Sequence, residues 1–217
     1  MIYQTEVCYN IKYMAVIFSL IVLLFSIIIH EIAHGSVAFS LGDPTAKNEG
    51  RLTLNPLKHL DPFGSVILPL LLLLFTFGHG PIFGWAKPVP INPFNFRDQK
   101  WGNFKVAIAG PAMNFLIAII FGLAIRFIPL SSTLLMLFSV ITVYNFAWGI
   151  FNLVPIPPLD GSHILFTFLG EKFSNIRIFL QQYGLFILIF FIFFGLQVVF
   201  LGAQFFYTLI TGSSLSI

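Results

Sequence analysis

The chain has 217 residues, of which 58% are hydrophobic and 9% charged, against about 25% charged in a soluble domain. Its 28 Phe, spread through runs of Ile and Leu, suit side chains that face lipid, so the composition excludes an ordinary soluble fold and points to an all-α polytopic membrane protein. The formal charge of +3 comes from 11 Lys and Arg against 8 Asp and Glu; these cations lie in connectors without interleaved aromatics, which excludes nucleic acid as a partner and makes them reporters of topology.

In chain order, MIYQTEVCYN has neither a basic n-region nor a small-residue cleavage site, so the first helix is expected to insert as an uncleaved anchor. Cys8, the single cysteine, has no CxxC neighbour and reads as an inert thiol. The first apolar stretch, about 11–41, stops at Gly42-Asp43-Pro44, a sound helix end. It exceeds the roughly 20 residues that span a bilayer, so the helix is expected to tilt or protrude. The second stretch, 63–77, is short and bounded by Asp61-Pro62 and Gly78. GWAKPVPINPFNF follows, and its recurring prolines suit an extended chain or a small β-hairpin. The third stretch, about 104–128, contains Gly110-Pro111 and ends near Pro129. The fourth, about 133–154, runs into PIPPLDG, and the fifth spans about 178–207. With no internal repeat, residues 1–217 read as one membrane domain.

Inside the first stretch lies HEIAH, residues 30–34. Positions i and i+4 share a helix face, so His30 and His34 can bind one metal ion together, with Glu31 placed to take a proton from attacking water. Each ionisable residue in an apolar span costs about 2.5–3.5 kcal/mol on insertion scales, so three of them in five positions need a partner. A hydrolytic zinc site takes three protein ligands and one open position. The candidate third ligand is Asp160 in NLVPIPPLDGSH, at the end of the fourth stretch with Gly161 behind it; its plainer role is as the N-cap of a helix starting at Gly161. Glu171, the other acid near that stretch, sits in a polar connector.

HEIAH, then AGPAMNF (109–115), then NLVPIPPLDG (152–161), resembles the site-2 protease family of intramembrane zinc metalloproteases. HLDPFGSVILP followed by FGWAKPVPINP is similar to its compact branch, which lacks PDZ and CBS modules. The resemblance implies one zinc ion held by His30, His34 and Asp160, with Glu31 as the catalytic base. It also associates Asn152 and Pro155 with holding substrate and points to Asn114 beside them. The implied substrates are single-span membrane proteins, cut within or near their membrane segments.

The three ligands must meet at one depth, which tests the topology. If all five stretches cross, the first and fourth run in opposite directions and the ligands lie at opposite faces. If 63–77 enters and leaves on one side, four helices cross and the ligands meet. The basic residues then divide nine to two, with only Lys12 and Arg126 on the far side, as the positive-inside rule favours. This arrangement puts the site nearer the cytoplasmic face of the cell membrane. Two rivals stay open on sequence alone: a zinc or ion transporter, whose pathway would use the same residue types, and a catalytically inactive membrane scaffold. His59 and His79, in connectors, are expected to be solvated or interfacial, and His163 is a candidate outer partner of Asp160.

Overall fold

The computed structural model describes residues 2–75, 86–169 and 173–215; Gly78, His79, Gly84, Trp85 and Glu171 lie outside the described residues. Its elements in chain order are α1 (Ile2–Ser40), the short α2 (Thr45–Asn48), α3 (Leu68–Phe75), α4 (Gln99–Phe127), α5 (Ser132–Asn152), the short α6 (Asp160–Phe168) and α7 (Ser174–Thr211). By length and composition α1, α4, α5 and α7 each suffice to cross a membrane. The chain is therefore an all-α polytopic membrane protein.

Helix ends follow local chemistry more than hydropathy. α4 starts at Gln99, earlier than the apolar run, because the Asp98 carboxylate accepts a hydrogen bond from the Trp101 N–H at 3.1 Å, an N-cap. Gly110-Pro111 therefore lies well inside α4 rather than opening it. α1 begins well before residue 11. With 39 residues in α1 and 38 in α7, each is nearly twice as long as the roughly 30 Å apolar slab requires. At the other end of the bundle the Arg126 guanidinium donates to the carbonyls of Leu209 and Ile210 at 3.5 and 3.3 Å, satisfying the last turn of α7.

α4 is the central helix. Gly110, Asn114, Ala118 and Gly122 are all buried along it and recur every four residues, so they form one face of small side chains that lets neighbouring backbones approach closely. Ala118 packs with Val143 and Phe146 of α5 and with Ala203 and Tyr207 of α7. The hydroxyls of Tyr207 and Ser139 meet at 2.8 Å, which satisfies both in a dry interface.

The segment between α2 and α4 contains the short stretch. Asp61 caps it by accepting from the Gly64 N–H at 2.6 Å, a π-helical turn (Pro62–Ile67) follows, and α3 continues it. Together these pieces rise only about 21 Å, short of a crossing. Leu60 and Ala86 form an antiparallel bridge, and the Lys87 N–H donates to the His59 carbonyl at 2.8 Å. Leu60 and Ala86, the two ends of the stretch, thus lie side by side. That bridge is the only strand-type pairing among the described residues, so of the extended chain and the β-hairpin the segment takes the first over 87–92. Pro88 and Pro90 have no N–H with which to extend a ladder. His59 is buried, with Nε2 2.8 Å from the Thr53 carbonyl, which corrects the expectation of a solvated side chain.

Candidate metal centre

One turn of α1 brings His30 and His34 onto the face that meets α4, and the turn after α5 brings Asp160 to them. His30 Nε2 and His34 Nε2 are 3.0 Å apart, and Asp160 Oδ2 lies 3.0 Å from the first and 3.2 Å from the second. Both imidazoles are buried. Asp160 is the first residue of α6, with Leu159 at the cap position, so the plainer N-cap role does not apply to it.

The outer ring nitrogens fix what the inner ones are. His30 Nδ1 lies 2.7 Å from Asn114 Oδ1, and His34 Nδ1 lies 2.6 Å from the Val106 carbonyl. The Asn114 amide is oriented in turn: its Nδ2 donates to Asn145 Oδ1 at 3.0 Å and to the Ser26 carbonyl at 3.2 Å. Asn145 Nδ2 donates to the Ile141 carbonyl at 2.9 Å. Each His Nδ1 therefore faces an acceptor and carries the proton, which leaves both Nε2 atoms as lone pairs. Two such nitrogens and a carboxylate oxygen shielded from solvent, with no hydrogen-bond donor of its own, point at one another. Three lone-pair donors packed this way repel unless a cation lies among them. Ligand atoms about 2.1 Å from one tetrahedral ion would lie roughly 3.4 Å apart, close to the separations seen. The donor set fits a zinc ion.

Two glycines make the convergence sterically feasible. A methyl group at Gly110 would collide with Nε2 of both imidazoles, and one at Gly161 would collide with the Leu153 carbonyl. The first leaves room for the ligands over α4, and the second lets the Asp160 turn fold back on the end of α5.

Glu31 sits beside the cluster, its Oε2 accepting a hydrogen bond from the Val89 N–H at 2.8 Å. A cavity of about 340 Å³ opens here, lined by His30, Glu31, His34, Asp160, Asn152 and the extended 88–93 segment among others. Asn152 is on its wall, with Nδ2 bound to the Trp148 carbonyl at 3.0 Å, and His163 lines it one turn along from Asp160. Pro155 is exposed and does not line it. Asn114 is fully buried behind His30, where it orients an imidazole, rather than on the cavity wall beside Asn152.

Sequence reasoning missed Asn145, Gly110 and the Val89 amide. Asn145 was detectable as an amide in an apolar span, by the cost argument that singled out HEIAH. A backbone N–H has no such signature.

Comparison with known proteins gives a family for the chain. The profile of peptidase family M50 matches residues 128–195. The chain is 40% identical to "Putative zinc metalloprotease YwhC" of Bacillus subtilis over 67% of its length and 66% of that relative. It is 29% identical to "Putative zinc metalloprotease Rip2" of Mycolicibacterium smegmatis, over 76% of this chain and 62% of the relative. With "Zinc metalloprotease MJ0392" of Methanocaldococcus jannaschii it shares 27% identity over 77% of its length and 38% of the relative. The chain thus spans about two thirds or less of the length of each. No solved structure matches it significantly. The likeness to YwhC and the profile match establish that this chain belongs to peptidase family M50, the site-2 protease family.

Proposed function

We propose that this chain is a zinc metalloprotease that hydrolyses peptide bonds in or near the membrane segments of single-span proteins. The observation that carries the reading is the triangle of His30 Nε2, His34 Nε2 and Asp160 Oδ2, at 3.0–3.2 Å, with Glu31 beside it. His30, His34 and Asp160 would hold the zinc ion, which would supply Lewis acidity toward a carbonyl oxygen and toward water. Glu31 accepts the proton of the attacking water and delivers it to the departing nitrogen. Asn114 and the Val106 carbonyl keep both imidazoles in the tautomer that presents a lone pair. Asp160 supplies negative charge at a depth where an unpaired cation would be costly.

A substrate helix hides its peptide bonds in i→i−4 hydrogen bonds, so it must unwind before attack. The extended 87–92 segment and the 152–158 turn offer backbone groups to the unwound strand, with Asn152 on the cavity wall. The Leu60–Ala86 bridge supports the four-crossing topology, and with it a site near the cytoplasmic face of the cell membrane.

The test uses the full-length chain in proteoliposomes with single-span peptides, comparing wild type, Glu31→Gln and chelator-treated protein. Cleavage is expected from wild type alone, falling on the order of 10²–10⁴-fold in Glu31→Gln and returning when zinc is restored after chelation. Equal cleavage by wild type and Glu31→Gln would overturn the reading.

A further inference from the structure

The segment KPVPINPFN, 87–95, crosses the mouth of the metal centre and is anchored at both ends by charged side chains from the connector after α1. At its start, buried Arg51 donates from Nη2 to the Lys87 carbonyl at 2.6 Å and to the Pro88 carbonyl at 3.1 Å. At its far end, Asp43, which is completely buried, accepts from the Asn92 N–H through Oδ2 at 2.7 Å and from Asn95 Nδ2 through Oδ1 at 2.7 Å. Thr45 donates to the same carboxylate from its hydroxyl and its N–H. Among the described residues neither Asp43 nor Arg51 has an ion-pair partner. Both buried charges are committed to this one stretch and its surroundings, and buried charges are costly to place without such bonds.

What lies between the anchors is restricted by its sequence. Pro88 and Pro90 have no N–H, so Val89 carries the one donor of the three residues. That donor meets Glu31 Oε2 at 2.8 Å, and the Val89 side chain is buried where a methyl on Gly35 would touch it.

We propose that Asp43 and Arg51 are positioning residues of the catalytic centre, holding 87–92 extended ahead of the turn at Pro93–Asn95 so that the Val89 N–H pins one oxygen of Glu31 and leaves the other to take the proton from water. This rests on the reading of Glu31 as the general base. A glutamate side chain with free torsions would spend much of its time out of reach of the water, and a charge-assisted hydrogen bond to one oxygen removes that freedom without occupying the other.

The test compares full-length wild type with Asp43→Asn, Arg51→Ala, Arg51→Lys, Val89→Pro and the Asp43→Asn/Arg51→Ala double variant. Bound zinc, kcat and KM on a single-span peptide, and amide hydrogen exchange over 87–92 are measured for each. We expect zinc to stay at wild-type stoichiometry. In Asp43→Asn, Arg51→Ala and Val89→Pro, kcat should fall about 10–100-fold with KM nearly unchanged. Arg51→Lys should recover part of the loss, and the double variant should be no slower than its worse parent, because both act through one N–H. Exchange at Val89 should quicken in the Asp43 and Arg51 variants and in Glu31→Ala. Wild-type kcat in Val89→Pro would overturn the proposal, as would zinc and kcat falling in proportion, the mark of a merely structural role. A wild type that cleaves no peptide rejects the general-base reading instead. Exchange at Val89 that is the same in every variant retaining Val89 rejects the anchoring with or without cleavage.

Discussion

α5 and α7 are both apolar, both long enough to cross a membrane, and both pack on α4, yet they differ in what they contribute. In the most apolar stretch of each, 39% of α5 is buried inside the protein against 11% of α7. α5 buries Ser139, Thr142, Asn145 and Asn152, and two of these reach the metal centre or its cavity. α7 turns Phe186, Phe190, Phe193 and Phe194 outward, where lipid is as good a solvent as protein. In a bilayer, then, hydropathy finds a helix but does not say which of its faces is inside. Polar residues do, because only a protein neighbour or a wet cavity can satisfy them.

That contrast is open to direct tests. The largest effect is expected from Asp160→Ala, which leaves two imidazoles without the carboxylate that the turn after α5 delivers. Bound zinc, measured by elemental analysis, and peptide cleavage should each fall by more than about 100-fold. Next come the residues behind the ligands. Asn114→Ala frees the His30 ring and should cost roughly 10–100-fold in zinc affinity or turnover. Asn145→Leu, acting through Asn114, should move both in the same direction by less; no change in either would place the importance of α5 elsewhere.

Acid gives a milder break at the same end of the molecule. Burial pushes the Asp43 carboxyl up, but hydrogen bonds from Thr45, Asn92 and Asn95 outweigh it and hold the group below its ordinary value. A carboxyl depressed on folding stabilises the fold above its unfolded value of about 3.9, and that stability is lost as pH falls through the lower folded value. Thermal unfolding in detergent should therefore show a loss below about pH 4 that Asp43→Asn flattens.

Ser139→Ala, which removes the bond to Tyr207 between α5 and α7, should cost about 1–2 kcal/mol of stability and leave cleavage unchanged. Phe194→Leu on the lipid face of α7 should shift stability by less than about 0.5 kcal/mol. A larger loss there would mean that α7 has a protein partner.

The same logic explains what was legible beforehand. HEIAH could be read because the helical repeat converts sequence spacing into a shared face. Asp160 could be proposed because the two histidines demanded a third ligand and the LDG resemblance supplied one. The four long helices were legible from hydropathy, but not their ends: α4 begins where Asp98 caps it, and α1 continues through polar residues that hydropathy discounts. Gly110 was part of a quoted motif, yet its role depends on how closely α1 approaches α4, a distance between elements that local sequence does not encode. The buried state of His59 was hidden for the same reason, since its connector folds under the bridge to Ala86.

That bridge also makes the protein modular. Leu60 and Ala86 hold the two ends of the intervening stretch side by side, so changing its length need move neither end, and each doubling of such a loop costs only about 0.6 kcal/mol in closure entropy. A recruiting domain or a tag could be grafted into it while Leu60 and Ala86 keep their pairing. The chemistry of α1, α4 and α6 would remain in register, and the choice of clients could change independently of the catalyst.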